Sequence, residues 1–182
     1  MLIYSMSVSA DGFVNDRDGG FDWNAPSDDV FQLHYEEVSS LSAYFLGRRL
    51  YEAMRVWETD PAFRETDALA SFADVWTALP KIVFSRTLER VEGNARLADK
   101  PLAEELTAWD SATAIISIAG PTLAREAVEL DLVDEYRIFR SPIIVGGGTK
   151  YLPTVASPLP LDLVESRTFD SPVVYERYRR IR

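Results

Sequence analysis

Cysteine is absent from this 182-residue chain, and histidine occurs once, at His34. Without cysteine there is no disulfide framework, thiol nucleophile, iron–sulfur cluster or cysteine-ligated zinc. One histidine also excludes zinc held by two or three imidazoles, and the His/Cys/Cys cluster of a zinc nucleoside deaminase. No metal site is expected. A Ser-His-Asp hydrolase would have to recruit His34, and no Gly-x-Ser-x-Gly elbow presents a serine to it. Long apolar runs are missing too, since nothing approaches the roughly 18–20 residues of a membrane-spanning helix. The opening Met1-Leu2-Ile3-Tyr4-Ser5 lacks the basic segment and small-residue cleavage site of a signal peptide. A cytoplasmic location with no membrane partner is expected.

Positive charge is in short supply: 19 Lys and Arg stand against 29 Asp and Glu, a net charge of −10. That balance discourages nucleic-acid binding, because phosphate backbones are held by basic surfaces. A small anionic ligand needs only a local cluster of cations. Arg48 and Arg49, with Arg86 farther along, offer one.

What remains is ordinary globular material, 47% hydrophobic and 26% charged, of a length that suits one domain over 1–182. The pattern alternates strands with helices. Residues 1–7 read as a buried strand, and 11–26 as a long loop with Phe13, Val14, Phe21 and Trp23 as apolar anchors. Ser27 caps a helix over Asp28–Ser39, with Phe31, His34, Tyr35 and Val38 on one face. Residues 44–46 form a strand that turns at Gly47 into a helix reaching 54. A helix over 67–79 stops at Pro80, and 81–85 is the next strand. Leu102, Leu106 and Trp109 mark another helix. Residues 113–118 are β-branched and apolar, a central buried strand, and Gly120-Pro121 opens the helix after it. Glu135–Ser141 is a strand, and 161–169 with 173–181 flank a hairpin turn at Asp170-Ser171-Pro172. The fold class is therefore α/β: three layers around a mainly parallel sheet, with an antiparallel C-terminal hairpin.

Three strand ends carry the chemistry. The strand over 113–118 feeds Gly120 and a helix start, where free N–H groups favour an anion such as a pyrophosphate; a plain βα turn is the alternative. Phe45-Leu46-Gly47-Arg48-Arg49 repeats the scheme with two guanidiniums, whose planar forks suit phosphate. Ile82-Val83-Phe84-Ser85-Arg86 repeats it with Ser and Arg. In open α/β sheets ligands bind at the edge formed by such strand ends. The run Gly146-Gly147-Gly148 is not a Gly-x-Gly-x-x-Gly fingerprint, since Tyr151 holds the last position, and it reads as a flexible turn.

Together with Ser7-Val8-Ser9-Ala10-Asp11-Gly12-Phe13 and the stretch from Leu132-Val133-Asp134-Glu135-Tyr136 to Gly148, these segments resemble the dihydrofolate-reductase-like fold. They are most similar to stand-alone relatives of the reductase domain of riboflavin biosynthesis, the C-terminal half of the bifunctional deaminase-reductase. The resemblance spans nearly the whole chain. It implies NADPH lying across the strand ends, with the nicotinamide near Met6, Ser7 and Val14. It implies phosphates held by Gly47, Arg48, Arg49, Ser85 and Arg86, and by Ala119, Gly120, Pro121, Thr122 and Leu123. It further implies a homodimer and a small-molecule substrate, such as the ribosylaminouracil intermediate of that pathway. The chain departs from its relatives at Leu50, where Thr is usual, and at Ala119-Gly120, where Gly-Gly is common.

Reduction of a C=N bond also needs a proton. Dihydrofolate reductases use a helix carboxylate, so Asp28 and Asp29 are candidates, although carboxylates also stabilise any helix start. His34 is a second candidate. Asp11 lies in the loop near the implied nicotinamide, or simply makes an Asp-Gly turn. Trp23 and Phe31 are candidate pocket walls, and Lys150 a candidate for a substrate phosphate. Two other readings stay open: a dihydrofolate or pterin reductase, and a nucleotide-binding protein without turnover.

Overall fold

In the computed structural model, which describes residues 1–109 and 112–182, alternating apolar stretches assemble one eight-stranded sheet. The strands are β1 (Leu2–Ser9), β2 (Ala43–Gly47), β3 (Lys81–Phe84), β4 (Ala95–Leu97), β5 (Ile116–Ala119), β6 (Glu135–Ser141), β7 (Leu161–Thr168) and β8 (Val174–Arg180). Their order is β4-β3-β2-β5-β1-β6-β8-β7. β4 through β6 run parallel, with Phe45 and Tyr4 both beside Ile118 and Tyr4 beside Tyr136. β8 and β7 close the sheet antiparallel. The expected three-layer parallel sheet with a C-terminal hairpin is the observed one.

The helices are α1 (Asp28–Ser39), α2 (Arg48–Met54), α3 (Val56–Thr59), α4 (Asp67–Ala78), α5 (Leu102–Thr107) and α6 (Pro121–Glu129). Strand side chains alternate between faces. Tyr4, Val8, Phe45 and Ile118 point to the face covered by α5 and α6, where Leu102, Ala124 and Ala127 complete a dry core. Leu46 and Val83 point to the opposite face and pack with Val38, Phe72 and Trp76 of α1 and α4.

Several expectations are corrected. The central strand begins at Ile116 rather than 113, and β4 was not foreseen, because three residues at an edge carry too short a pattern. Ser27 does precede α1, but its hydroxyl donates to the carboxylate of Asp29 instead of capping a backbone N–H.

The glycine run is no flexible turn. An ideal Cβ at Gly148, where φ is +128°, would stand 2.0 Å from the backbone oxygen of Asn15. The loop after β1 is clasped there. Arg17 Nε donates to the Gly146 carbonyl at 3.0 Å, Asp11 accepts the Gly146 N–H at 2.9 Å, and Asn15 accepts the Thr149 N–H at 2.8 Å. The bond from Ser9 is the main reason, and those backbone N–H groups a further one, that the Asp11 carboxyl sits below its usual range. Asp11 thus ties two loops together.

Candidate functional site

Because β3, β2, β5 and β1 are adjacent and parallel, their C-terminal ends share one rim of the sheet. The rim gathers Ser7 from β1, Gly47-Arg48-Arg49 at the start of α2, Ser85-Arg86 beyond β3, and Ala119 through Leu123 at the start of α6. Neighbouring segments are in near contact. An added Cβ at Gly47 would come within 3.9 Å of Leu123 Cβ, and one at Gly120 within 3.9 Å of Leu50 Cβ. Arg48 Nη1 reaches Thr87 Oγ1 at 2.8 Å, joining the β2 and β3 ends, and its Nε pairs with Glu52 at 2.8 Å.

Arg49 and Arg86 are exposed and form no ion pair among the described residues. Ser85 Oγ accepts the N–H groups of Thr87 and Leu88 at 3.2 and 3.0 Å and shapes the turn that carries Arg86. Gly120 adopts φ +92°, a conformation that a side chain would strain, and no side chain caps the N–H groups of α6 behind it. Exposed guanidiniums, small residues and uncapped amides together suit a phosphorylated dinucleotide.

Beside the rim, between α1 and the sheet, lies a cavity of about 150 Å³. Its walls include Met6 and Ser7 of β1, Ser117 and Ala119 of β5, His34 of α1, and Leu50. Leu50 makes part of that wall apolar. Its charged floor is Glu37 and Arg137, side chains only 11% and 12% exposed. Glu37 Oε1 accepts from Arg137 Nη1 and from the Tyr175 hydroxyl, each at 3.1 Å, and Ser5 Oγ donates to Oε2 at 3.1 Å. Arg137 also bonds Glu135 at 2.7 Å. Burial raises the Glu37 carboxyl above its usual range, against the opposing pull of Arg137 and its hydrogen bonds.

The other candidates are placed unevenly. His34 lines the cavity, packs at a tilt against Phe139 with 4.1 Å between ring centroids, and is held down at about 4 by burial, hence neutral near pH 7. Asp28 is exposed at the outer end of α1. Asp29 accepts the N–H of Val30 beside it and that of Asp170, which ties the start of α1 to the turn between β7 and β8. The structure brings neither aspartate to the cavity, which opens two turns farther along α1. Phe31 packs on Trp57 and Phe72 rather than on the cavity. Val14, in the loop that follows β1, is buried in the main core cluster. Trp23 is half-buried, and its indole N–H has no partner. Lys150 is exposed and pairs by its backbone with Phe13.

Sequence reasoning missed Glu37 and Arg137. One signal was available: Glu37 stands three residues after His34 and beside Val38, a carboxylate inside the apolar stripe of α1.

Comparisons with known proteins agree with this geometry. A family model described as the RibD C-terminal domain matches residues 1–175. The YyaP protein of Bacillus subtilis (strain 168) is 25% identical over 95% of this chain and 91% of its own. A crystal structure of a protein assigned by name to riboflavin biosynthesis, from Shewanella sp. PV-4, superposes with a TM-score of 0.78 at 21% identity. It covers 100% of this chain and 99% of that one. The deaminase/5-amino-6-(5-phosphoribosylamino)uracil reductase of Thermotoga maritima gives 0.69 at 18% identity over all of this chain and 56% of its own. Dihydrofolate reductase of Enterococcus faecalis, solved with NADP(H), gives 0.64 at 17% identity over 99% and 96%. The fold is thus dihydrofolate-reductase-like.

Proposed function

Since the chain belongs to the RibD C-terminal domain family, we propose that it is an NADPH-dependent reductase of a C=N bond in a small heterocyclic or ribosylamino compound. The observation that carries this reading is the shared rim. Arg48, Arg49, Ser85-Arg86 and the start of α6 converge there, directly beside the cavity that has Glu37 and Arg137 on its floor. When bound, the cofactor supplies hydride; the chain's residues bind, orient and exclude water. Arg48 and Arg86 would take the 2′-phosphate, and Gly120 through Leu123 the pyrophosphate. Met6, Ser7 and Ala119, which wall the cavity beside the rim, would hold the nicotinamide. An aminouracil ring is the substrate class favoured, on the analogy of the Thermotoga enzyme named for that reduction. A cytoplasmic homodimer belongs to the same reading, and sedimentation of the purified protein tests its oligomeric part.

The decisive measurement is cofactor titration. The wild type should quench nicotinamide fluorescence and prefer NADPH to NADH. Charge-assisted contacts contribute about 1.5–3 kcal/mol each, so Arg48→Ala with Arg86→Ala should weaken NADPH at least about a hundredfold and barely move NADH. Equal losses for both nucleotides would remove the phosphate assignment. Absence of NADPH binding by the wild type would remove the reductase reading altogether.

A further inference from the structure

We propose that Glu37 is the proton donor of this reductase, delivering its proton from Oε2 to the substrate nitrogen at the floor of the cavity. The inference rests on the reductase reading and adds the group that reading lacks. Oε1 already accepts from Arg137 and Tyr175, whereas Oε2 takes only the Ser5 hydroxyl. A carboxylate oxygen has about two acceptor positions, so Oε2 keeps one for a proton that can be passed on. A cavity of about 150 Å³ is the size that elsewhere holds a single six-membered ring. A ring seated there meets Glu37 across its floor and the strand-end rim at its mouth.

Elimination among the cavity's walls supports the same residue. Arg137 never gives up its proton. His34 is neutral, and the Tyr44 hydroxyl is pushed up to about 12 by burial, too weak an acid. The serine hydroxyls are weaker acids still. Glu37 alone combines a titratable proton with a raised carboxyl. The groups facing it are Ser5 from β1, Tyr44 from β2, Arg137 and Glu135 from β6, and Tyr175 from β8. Arg177 lies behind Glu135 at 4.0 Å and also pairs with Glu165 of β7.

The step balances. Hydride leaves the reduced nicotinamide for the C=N carbon and the π pair moves onto nitrogen. That nitrogen takes the Glu37 proton, leaving oxidised nicotinamide and a carboxylate that Arg137 stabilises. Solvent then reprotonates Glu37.

The test is single-turnover hydride transfer, followed by loss of nicotinamide absorbance between about pH 5 and 9. The probes are 5-amino-6-(5-phosphoribosylamino)uracil and 7,8-dihydrobiopterin. The wild-type rate should reach a plateau at low pH. Glu37→Gln should lose about 10²–10⁴-fold at neutral pH while keeping its NADPH affinity. Its rate should climb about tenfold per pH unit lowered, without a plateau, because the proton then comes from solution. Glu37→Asp should restore part of the loss. A rate within about threefold of wild type in Glu37→Gln, or a loss with the wild-type pH profile unchanged, overturns the proposal. Should Glu37→Gln fail to bind NADPH, Ser5→Ala decides, since it frees Oε2 and leaves the Arg137 pair in place. A displaced pH midpoint supports the proposal, and an unmoved one overturns it. A wild type that binds NADPH but reduces neither probe overturns the reductase reading and this inference with it. Wild-type turnover with an indifferent Glu37→Gln overturns the inference alone.

Discussion

Replacing Gly148 by alanine should be far more damaging than replacing Gly146, although both glycines lie in the same run. At Gly148 a Cβ would stand 2.0 Å from Asn15 O and 2.7 Å from Asp16 O, both backbone atoms that cannot swing aside. Ordinary carbon–oxygen contacts begin near about 3.3 Å, so the two segments must separate by more than about an ångström. Separation strains the bonds between them: Arg17 to the Gly146 carbonyl at 3.0 Å, Thr149 to Asn15 at 2.8 Å, and Val14 to the Thr149 carbonyl at 2.9 Å. Each is worth about 1 kcal/mol, and a side chain at φ +128° costs on the order of 1–3 kcal/mol more. The sum is about 4–6 kcal/mol, or roughly 10–20 °C in Tm for a chain of this size. At Gly146 φ is +70° but nothing lies within 4 Å, so only the backbone term applies, about 1 kcal/mol and a few degrees. Thermal melts of the two variants with wild type beside them read the difference. Curves for Gly148→Ala and Gly146→Ala within about 2 °C of each other would refute the clasp.

Protonation of His34 should govern part of the acid stability. Above its unfolded value of 6.5 neither state is charged; below it the unfolded chain takes up a proton that the folded one refuses until about 4. Stability therefore drains as pH falls through that window, by about 3 kcal/mol in total, and His34→Gln should abolish this share. Parallel Tm–pH curves for the two proteins would contradict it. Lys81, 1% exposed, bonds Glu58 at 2.8 Å and the Trp76 and Leu79 carbonyls at 2.6 and 3.1 Å. Lys81→Met should cost about 3–5 kcal/mol in urea unfolding, and adding Glu58→Gln should recover part of it. A loss under about 1 kcal/mol would show that the buried pair is dispensable.

Local pattern carried the sequence reading a long way. The 3.6-residue stripe of α1 and the stretch read as a strand over Glu135–Ser141 match α1 and β6 to the residue, and the strand–helix alternation gives the layers. The strand-end motifs were legible for the same reason: each lies within a few consecutive residues. The cavity was not. Glu37 meets Ser5 at a separation of 32 residues, Arg137 at 100 and Tyr175 at 138. No spacing rule links positions so far apart, and on the sequence Asp28 and Asp29 looked the better carboxylates because a helix start is a local signal. The glycine run failed similarly, since its close approach is to Asn15, on a loop more than a hundred residues earlier.

The same two central strands account for both the dry core and the hollow. On one face β1 and β5 present Tyr4, Val8 and Ile118, which fill the space under α5 and α6 against Ala124 and Ala127. On the other they present Ser5, Ser7 and Ser117, too small to fill the space beneath α1. The gap that remains has the charges of Glu37 and Arg137 on its floor, and burying either of them unpaired would be costly. Glu37 and Arg137 satisfy each other, with Glu135, Ser5 and Tyr175 as further partners, and one acceptor position of Glu37 Oε2 stays open toward the cavity. Replacing such a network by apolar side chains would often stabilise a fold. A chain that instead keeps small hydroxyls and a buried ion pair beneath one helix holds open a site for something other than packing. That site lies beside the rim where the exposed arginines gather.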